Sequence, residues 1–448
     1  MRILTEKRNP VKAPAKCQWS VWNDIIEVDE HFIVLFNTLT QTAVLVQKQQ
    51  CSNIDKLTAD DTDLLYGLGM IVAQGTDERD MVERRFAEGK KDLSYLDLTI
   101  LLTQQCQFRC TYCFEGTKKD TNLDDQTSDD IIGFLDRHAP TVKKLRVTWF
   151  GGEPLLAYAR LKAISARLMD FCQRHEVKYT ADMVTNGYAL TKDRCLELID
   201  QLKVKRYIIT LDGPATYHDQ RRPLRSGLPT FSKIWDNITT LVSTGALVNI
   251  RMTIDKENVE SIPTLLDAIA TGPLARKTGL SFCRTMDYDF TPEAVKDVIF
   301  TEKEFADIEW RLIQYAHRLK LWAYRFPHSA PLGGCLREGD IVIGTQGEIY
   351  KCLDTVGDGK WISGHINEKH AANRPDWYEQ WLRWSPSQSP SCRQCVLQPL
   401  CNGGCPHNAI FTDKKHGTVT QCPDWKANYR GQIIELAKEY IIKNNIKP

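Results

Sequence analysis

The chain has 448 residues, 42% of them hydrophobic, and its 58 Lys plus Arg balance 57 Asp plus Glu to a formal charge of +1. That length can bury a large core and divides into two or three domains, and the balanced charge excludes a global attraction to nucleic acid or anionic membrane. Residues 1–8 lack the apolar core of a signal peptide, and no apolar run approaches transmembrane length, so a cytoplasmic protein with neither nucleic acid nor membrane as partner is expected. Fifteen cysteines in tight clusters, in a large chain without such a signal, point to metal ligation in a reducing compartment.

In chain order, β-prone runs at 24–28, 31–36 and 42–46 predict a three-stranded meander. Thr58-Ala-Asp-Asp61 has the pattern of a helix-capping box, and Leu64, Leu65, Leu68 and Ile71 follow at helical spacing. A second, charged helix is expected over 77–89, so residues 1–92 read as a small α+β domain. From 96 onward the pattern alternates. Strand-like runs at 96–102, 145–150, 179–185, 207–211, 248–254 and 280–284 are separated by helical patterns such as Leu161, Ile164, Leu168 and Phe171. Six β/α units imply a parallel sheet, which right-handed crossovers curl into a barrel or part of one, with binding groups at the carboxyl ends of the strands. A helix over 302–322, with Phe305, Ile308, Leu312, Tyr315 and Leu319 on one face, bridges to a cysteine-rich end. There Tyr429, Ile433, Leu436 and Tyr440 predict a closing helix.

The chemistry starts in the loop after the first of the six strands, Cys106-Gln-Phe-Arg-Cys110-Thr-Tyr-Cys113. Three thiolates so spaced can cap three irons of a four-iron cluster and leave the fourth open; zinc ligands or core thiols are the alternatives. This C-x3-C-x2-C loop resembles that of the radical S-adenosylmethionine enzymes. The resemblance implies a partial (β/α)6 barrel over 93–290, in which Cys106, Cys110 and Cys113 carry the catalytic [4Fe-4S] cluster. It also implies that Tyr112 lies against the adenine of S-adenosylmethionine. In Gly151-Gly-Glu-Pro154 the glycines permit close backbone approach, and Glu153 offers an acceptor to an ammonium. The family counterpart of this element, with Gly151, Gly152 and Glu153, binds the methionine amino group. Thr185-Asn-Gly187 reads by itself as a capping turn. By resemblance its Asn186 meets the ribose or carboxylate, while Thr210 and Arg222 hold the carboxylate.

Cys335, Gly347 with Cys352, then Cys392-x2-Cys395-x5-Cys401-x3-Cys405 and Cys422 match the seven-cysteine pattern of the SPASM subgroup. Zinc is the alternative for the C-x2-C pair. The resemblance implies a helical bridge over 291–330 and a SPASM domain over 331–448 with two auxiliary clusters. One is held by Cys392, Cys395, Cys401 and Cys422. The other is held by Cys335, Cys352 and Cys405, one ligand short of four, so that an iron stays open. Related sulfatase maturases place an eighth cysteine shortly after the first of the set, yet residues 336–344 contain none. They also carry a catalytic aspartate directly after the Gly-x4-Cys cysteine, where this chain has Leu353 and then Asp354. Cys172 and Cys195 fall on apolar helix faces and read as core, Cys17 and Cys51 lie in the N-terminal domain, and Cys283 ends the last of the six strands.

The order of the N-terminal domain resembles the winged-helix-like peptide-recognition domains of maturases of ribosomally made peptides; a plain structural cover is the alternative. Expected, then, is a radical S-adenosylmethionine oxidoreductase that takes a hydrogen atom from a carbon of a ribosomal precursor peptide and closes a thioether, other carbon–heteroatom or carbon–carbon crosslink. Its partners would be the precursor, with its leader on the N-terminal domain, and a flavodoxin or ferredoxin-type electron donor. The alternatives are a sulfatase-maturase-like side-chain oxidase and a non-catalytic iron–sulfur or zinc protein that binds peptides.

Overall fold

A computed structural model of the protein describes residues 1–5, 11–48, 57–113, 115, 120–287, 291–323, 332, 335–368, 374–411 and 422–446; Cys51 lies outside them. The chain divides into two compact units. One comprises the described parts of Met1–Lys90, Arg325–Gly333 and Arg383–Pro448, the other those of Lys91–Tyr324 and Gly334–Leu382. The division runs through the segment 331–448 expected as one domain.

In the first unit, β1 (Arg2–Ile3), β2 (Cys17–Trp19), β3 (Asn23–Glu27), β4 (Phe32–Asn37) and β5 (Thr42–Gln47) precede α1 (Ala59–Gly67), β6 (Ile71–Ala73) and α2 (Glu78–Lys91). The predicted meander is present as antiparallel β3, β4 and β5 in a sheet of order β1-β5-β4-β3, and Thr58 caps α1 by accepting from the Asp61 N–H at 3.1 Å. β4 reads as a continuous apolar run, Phe32-Ile-Val-Leu-Phe36, because both faces of this small sheet are covered. Phe32, Val34, Phe36 and Leu45 pack with Leu397, Leu400 and the C-terminal helix Tyr429–Lys443. Ile33, Leu35, Val44 and Val46 pack with Leu65, Leu68, Met70 and Ile71. The predicted closing helix is thus a core partner of the N-terminal strands, a pairing across the whole chain that local periodicity does not carry.

Asp24 fastens the same pairing: its carboxylate accepts from the Tyr429 hydroxyl at 2.6 Å and from Nε and Nη2 of Arg430 at 3.0 and 2.8 Å. Arg430 is solvent-exposed, so screening reduces its share. Asp24→Ala leaves the buried hydroxyl without its acceptor and is expected to lower stability by about 1–3 kcal/mol, read as a fall in the melting temperature. An unchanged melt would make the cluster ornamental.

In the second unit β7 (Tyr95–Thr103), α3 (Asp125–His138), β8 (Lys144–Gly151), α4 (Tyr158–Arg174), β9 (Lys178–Thr185), α5 (Lys192–Leu196), β10 (Val204–Thr210), α6 (Ala215–Arg221), α7 (Phe231–Ser243), β11 (Leu247–Ile254), α8 (Ile262–Thr271) and β12 (Thr278–Arg284) follow one another. β7 to β12 are successive parallel neighbours, as the alternating pattern predicts. α9 (Glu302–Arg318), closed by a Thr301–Glu304 capping box, ends four residues before the expected 322. Lys320 turns with φ 59° and the chain enters β13 (Trp322–Ala323) beside β12. β14 (Asp340–Ile343) pairs parallel to β7, and β15 (Glu348–Tyr350) and β16 (Gly364–His365) add antiparallel strands, completing a ten-stranded mixed sheet. These strands have two to four residues, too few for a readable period.

The two faces of the six parallel strands differ. Leu98, Val147, Met183, Ile209, Ile250 and Leu280 belong to the core shared with α3, α4, α7 and α8. The alternate residues carry charge. Arg146 pairs with Asp97 at 3.3 Å and Asp182 at 2.6 Å, and Arg206 with Asp182 at 2.8 Å, a ladder across four strands. Cys172 and Cys195 sit in the core as expected, and burial pushes their thiols up to about 12 and about 11. Among the described residues no helix is long and apolar enough to cross a membrane.

Candidate functional site

The cysteine loop leaves β7 and is pinned on two sides. On one, residues 107–111 form an antiparallel ladder with 221–225: the N–H groups of Arg109 and Thr111 donate to Pro223 and Arg221 carbonyls at 2.9 and 3.0 Å, and Arg225 N–H to Gln107 at 2.8 Å. On the other, Gly152 N–H donates to the Thr103 carbonyl at 2.9 Å and Glu153 N–H to Gln105 at 2.8 Å. A Cβ on Gly151, whose φ is 119°, would stand 2.1 Å from the Thr103 oxygen, and one on Gly152 would stand 2.3 Å from that of Gln105. The glycines are thus required by the backbone leading into Cys106 itself, a constraint sequence reasoning attributed to a ligand.

Glu153 is wholly buried. One carboxylate oxygen accepts from Leu155 N–H at 3.0 Å and the Thr185 hydroxyl at 2.7 Å, the other from Asn186 N–H at 2.7 Å. Burial raises its pKa, making it a weaker acid than an ordinary carboxyl, in spite of these donors. The side chain therefore ties the end of β8 to the end of β9. Asn186 in turn brings its amide Nδ2 to 3.9 Å from Cys106 Sγ, and its Oδ1 accepts from Tyr188 N–H at 3.0 Å.

Tyr112, between two of the cysteines, donates its hydroxyl to Asp212, and Arg222 Nη1 donates to the same hydroxyl at 2.8 Å. Arg221 lies 4.9 Å over the Tyr112 ring and forks onto Asp255 at 2.9 and 2.7 Å. Burial works against the charge of Arg222, yet Cys110, Tyr112 and Asp212 hold its proton well above the usual value. Arg222 Nε and His218 Nε2 are buried with no partner among the described residues. Asp212, His218, Arg221 and Asp255 escaped sequence reasoning as site residues. Asp212 and Tyr112 lie 100 positions apart, and nothing local announces their contact. Thr210 ends β10, half-buried, beside Arg251.

Of the second cysteine set, Cys392, Cys395, Cys401 and Cys422 belong to the first unit. Lys426 Nζ lies 3.4 Å from Cys422 Sγ, and although burial opposes its charge, Cys395, Cys422 and Cys401 raise its proton affinity. Cys401 is pushed up to about 11 by burial, with Cys395 and Cys392 adding to it. These four are the cysteines grouped above on resemblance. Cys335, at φ 67° with its carbonyl accepting from Trp381 Nε1 at 3.0 Å, and Cys352 belong to the second unit, whereas Cys405 belongs to the first. Asp354 is exposed in the short helical turn after Cys352.

Among the described residues no three Cys, His, Asp or Glu side chains meet at one point as a ready cage for a single ion. An iron–sulfur cluster takes one thiolate per iron and does not require them to meet. The loop suits such a group: three thiols, one of them 8% exposed and two half-buried, beside a buried guanidinium that complements an anionic thiolate-bound center.

Comparison with known proteins agrees. The Radical SAM superfamily model matches residues 100–269. A serine-type anaerobic sulfatase-maturating enzyme of Bacteroides thetaiotaomicron is 26% identical over 165 residues, 35% of this chain and 38% of that protein, so the match spans little over a third of the relative's length. An uncharacterized protein of Methanocaldococcus jannaschii is 20% identical over 285 residues, 62% of this chain and 91% of that one. In fold, the chain is similar to anSMEcpe with bound AdoMet and Cp18Cys peptide (TM-score 0.57, 18% identity, 78% of this chain and 99% of that one). It is also similar to Streptococcus suis SuiB bound to precursor peptide SuiA (TM-score 0.52, 13% identity, 92% and 100%).

Proposed function

We propose, from the premise that residues 100–269 of this enzyme are a radical SAM domain, that it is a peptide maturase which crosslinks a ribosomal precursor peptide. The observation that carries the reading is the double pinning of the cysteine loop, by the glycines at the end of β8 and by the ladder with 221–225, which holds three thiols at the carboxyl ends of parallel strands. Cys106, Cys110 and Cys113 would hold a [4Fe-4S] cluster, which when bound would supply the one-electron reduction that cleaves S-adenosylmethionine and so the means of taking a hydrogen atom from the peptide. The chain's residues do the rest. Arg222 and Tyr112 hold the loop against Asp212, Glu153 fixes Asn186 beside Cys106, and Thr210 with Arg222 offers donors for a carboxylate. The six parallel strands serve as the wall of a partial barrel around that chemistry.

Cys392, Cys395, Cys401 and Cys422 would hold an auxiliary cluster able to accept the electron that crosslinking releases. A flavodoxin or ferredoxin-type donor would supply the first electron. The exposed position of Asp354, two places after Cys352, favors crosslinking over sulfatase-maturase-like oxidation, which needs its base directly after that cysteine.

A leader would add to β3, the edge of its sheet. Val28 N–H donates to Phe32, so along β3 the alternate positions Ile25 and Glu27 turn their backbone outward. Deleting residues 1–90 is no clean test, because Phe32, Val34 and Leu45 share a core with Leu400 and Ile433. Proline at Ile25 and Glu27 removes two outward N–H donors instead. The double variant is expected to keep cleaving S-adenosylmethionine without substrate, while modification of a leader-bearing precursor falls at least about tenfold, the scale of two lost backbone hydrogen bonds. Undiminished modification would count against strand addition, and absence of 5′-deoxyadenosine from the reduced wild-type protein would sink the enzymatic reading.

A further inference from the structure

Among the described residues, the polar face of the six-stranded sheet carries a half-buried cation, Arg251, with no hydrogen-bonding or ion-pair partner. On β11, Val248, Ile250 and Met252 belong to the helix-covered core, so strand alternation places Asn249, Arg251 and Thr253 on the opposite face. Register sets Arg251 beside Thr210 on β10 and Ser281 on β12. Because Ile209 pairs with Thr185, Thr210 is level with Asn186, and Arg251 continues the row in which the cofactor-facing residues stand.

Among the described residues five arginines bury an Nε without a hydrogen-bond partner: Arg221, Arg222, Arg251, Arg284 and Arg337. Four of them engage the rest of the guanidinium, Arg221 with Asp255, Arg222 with the Tyr112 hydroxyl, Arg284 with the Phe300 carbonyl and Arg337 with Asp340. Arg251 makes no side-chain hydrogen bond and no ion pair among the described residues. The acids of this face are already committed. Asp97 and Asp182 take Arg146 and Arg206, Asp212 takes Tyr112 and Thr253 N–H, and Asp255 takes Arg221. A guanidinium is charged at any pH and planar, and half-buried without a partner it is a fork preset for a carboxylate.

We propose that Arg251 binds a carboxylate that enters this face of the sheet, an acidic side chain or chain terminus of the substrate peptide. The assignment rests on the peptide-maturase reading, and within it on β11 lying one strand beyond Thr210, the last strand-borne residue given to the cofactor. Arg251 thereby sets which residue of the peptide lies near the cysteine loop, selecting substrates with an acid at a fixed distance from the reacting carbon.

The experiment uses the full-length reconstituted protein with S-adenosylmethionine and two blocked pentapeptides, Gly-Gly-Glu-Gly-Gly and Gly-Gly-Gln-Gly-Gly, whose affinities are measured by ligand-observed NMR at fixed ionic strength. Wild type is expected to prefer the glutamate peptide by about tenfold, the scale of one charge-assisted fork, and Arg251→Gln to bring the ratio close to one. Arg251→Lys keeps the charge but not the fork and should leave an intermediate ratio, which preserves the test if the glutamine variant does not fold. No discrimination by wild type, or the same ratio in wild type and variants, overturns the proposal. A loss of affinity for S-adenosylmethionine with none for 5′-deoxyadenosine would show that the carboxylate is the cofactor's own and overturns the substrate assignment. The measurement needs no turnover, so its failure leaves the radical chemistry standing, whereas absence of 5′-deoxyadenosine from wild type would fail that reading alone.

Discussion

The variant with Cys106, Cys110 and Cys113 all replaced by Ala is expected to form no 5′-deoxyadenosine above background from S-adenosylmethionine when reconstituted anaerobically and reduced, while keeping the iron bound elsewhere. The three cysteines are the thiolates of the loop, and Ala replaces a metal–sulfur bond with nothing at each of them, so the loss should be complete rather than graded. Folding should survive, because the loop is held by backbone hydrogen bonds from Arg109, Thr111 and Arg225 that side-chain truncation leaves in place. Cys172→Ala and Cys195→Ala are the matched controls. Both thiols are buried in the helix-covered core, so each costs some stability and leaves the product yield alone. Iron counts with a product assay decide, and undiminished 5′-deoxyadenosine in the triple variant would remove the loop from the chemistry.

What was legible in the chain follows from the range of the forces involved. The six parallel strands were readable because each is a run of seven to nine residues bounded by helical periodicity, long enough for burial to write a pattern. The cysteine sets were readable because ligand spacing is local. β14 to β16 were not, being short, and β14 joins them to β7 by pairing with residues more than 200 positions away. The covering of β4 by the C-terminal helix was hidden for the same reason, although the unbroken apolar run of β4 was its trace. At the site, Tyr112, Glu153, Asn186 and Arg222 were named for ligand contacts. The geometry adds what they do to one another: a carboxylate saturated by three donors at Glu153, and a hydroxyl held between Arg222 and Asp212 at Tyr112. No single-residue signal distinguishes a side chain that meets a ligand from one that positions its neighbor, since both are polar residues at strand ends.

Gly151→Ala and Gly152→Ala are each expected to cut 5′-deoxyadenosine formation by at least about a hundredfold in protein that still folds, the equivalent of some 2.7 kcal/mol or more at the transition state. At Gly151 two costs add. A φ of 119° is left-handed backbone that an L side chain adopts only under strain of about 1–3 kcal/mol, and the new methyl would stand 2.1 Å from the Thr103 carbonyl oxygen. At Gly152 the methyl would stand 2.3 Å from the oxygen of Gln105 and 2.7 Å from that of Gln104. These neighbors are backbone, not the free end of a flexible side chain, so relief requires the end of β8 to part from the segment entering Cys106. That movement breaks the bonds from Gly152 N–H to Thr103 and Glu153 N–H to Gln105, and takes Cys106 away from Asn186. The helix-covered core stays intact, which is why the damage should appear in the product yield and in the paramagnetic spectrum of the loop's reduced cluster before it appears in the melt. Gly359→Ala, where a methyl meets nothing within 4 Å, is the control that should change none of these. Wild-type product yields from both variants at β8 would mean that the close backbone approach is not what holds the cysteines in place.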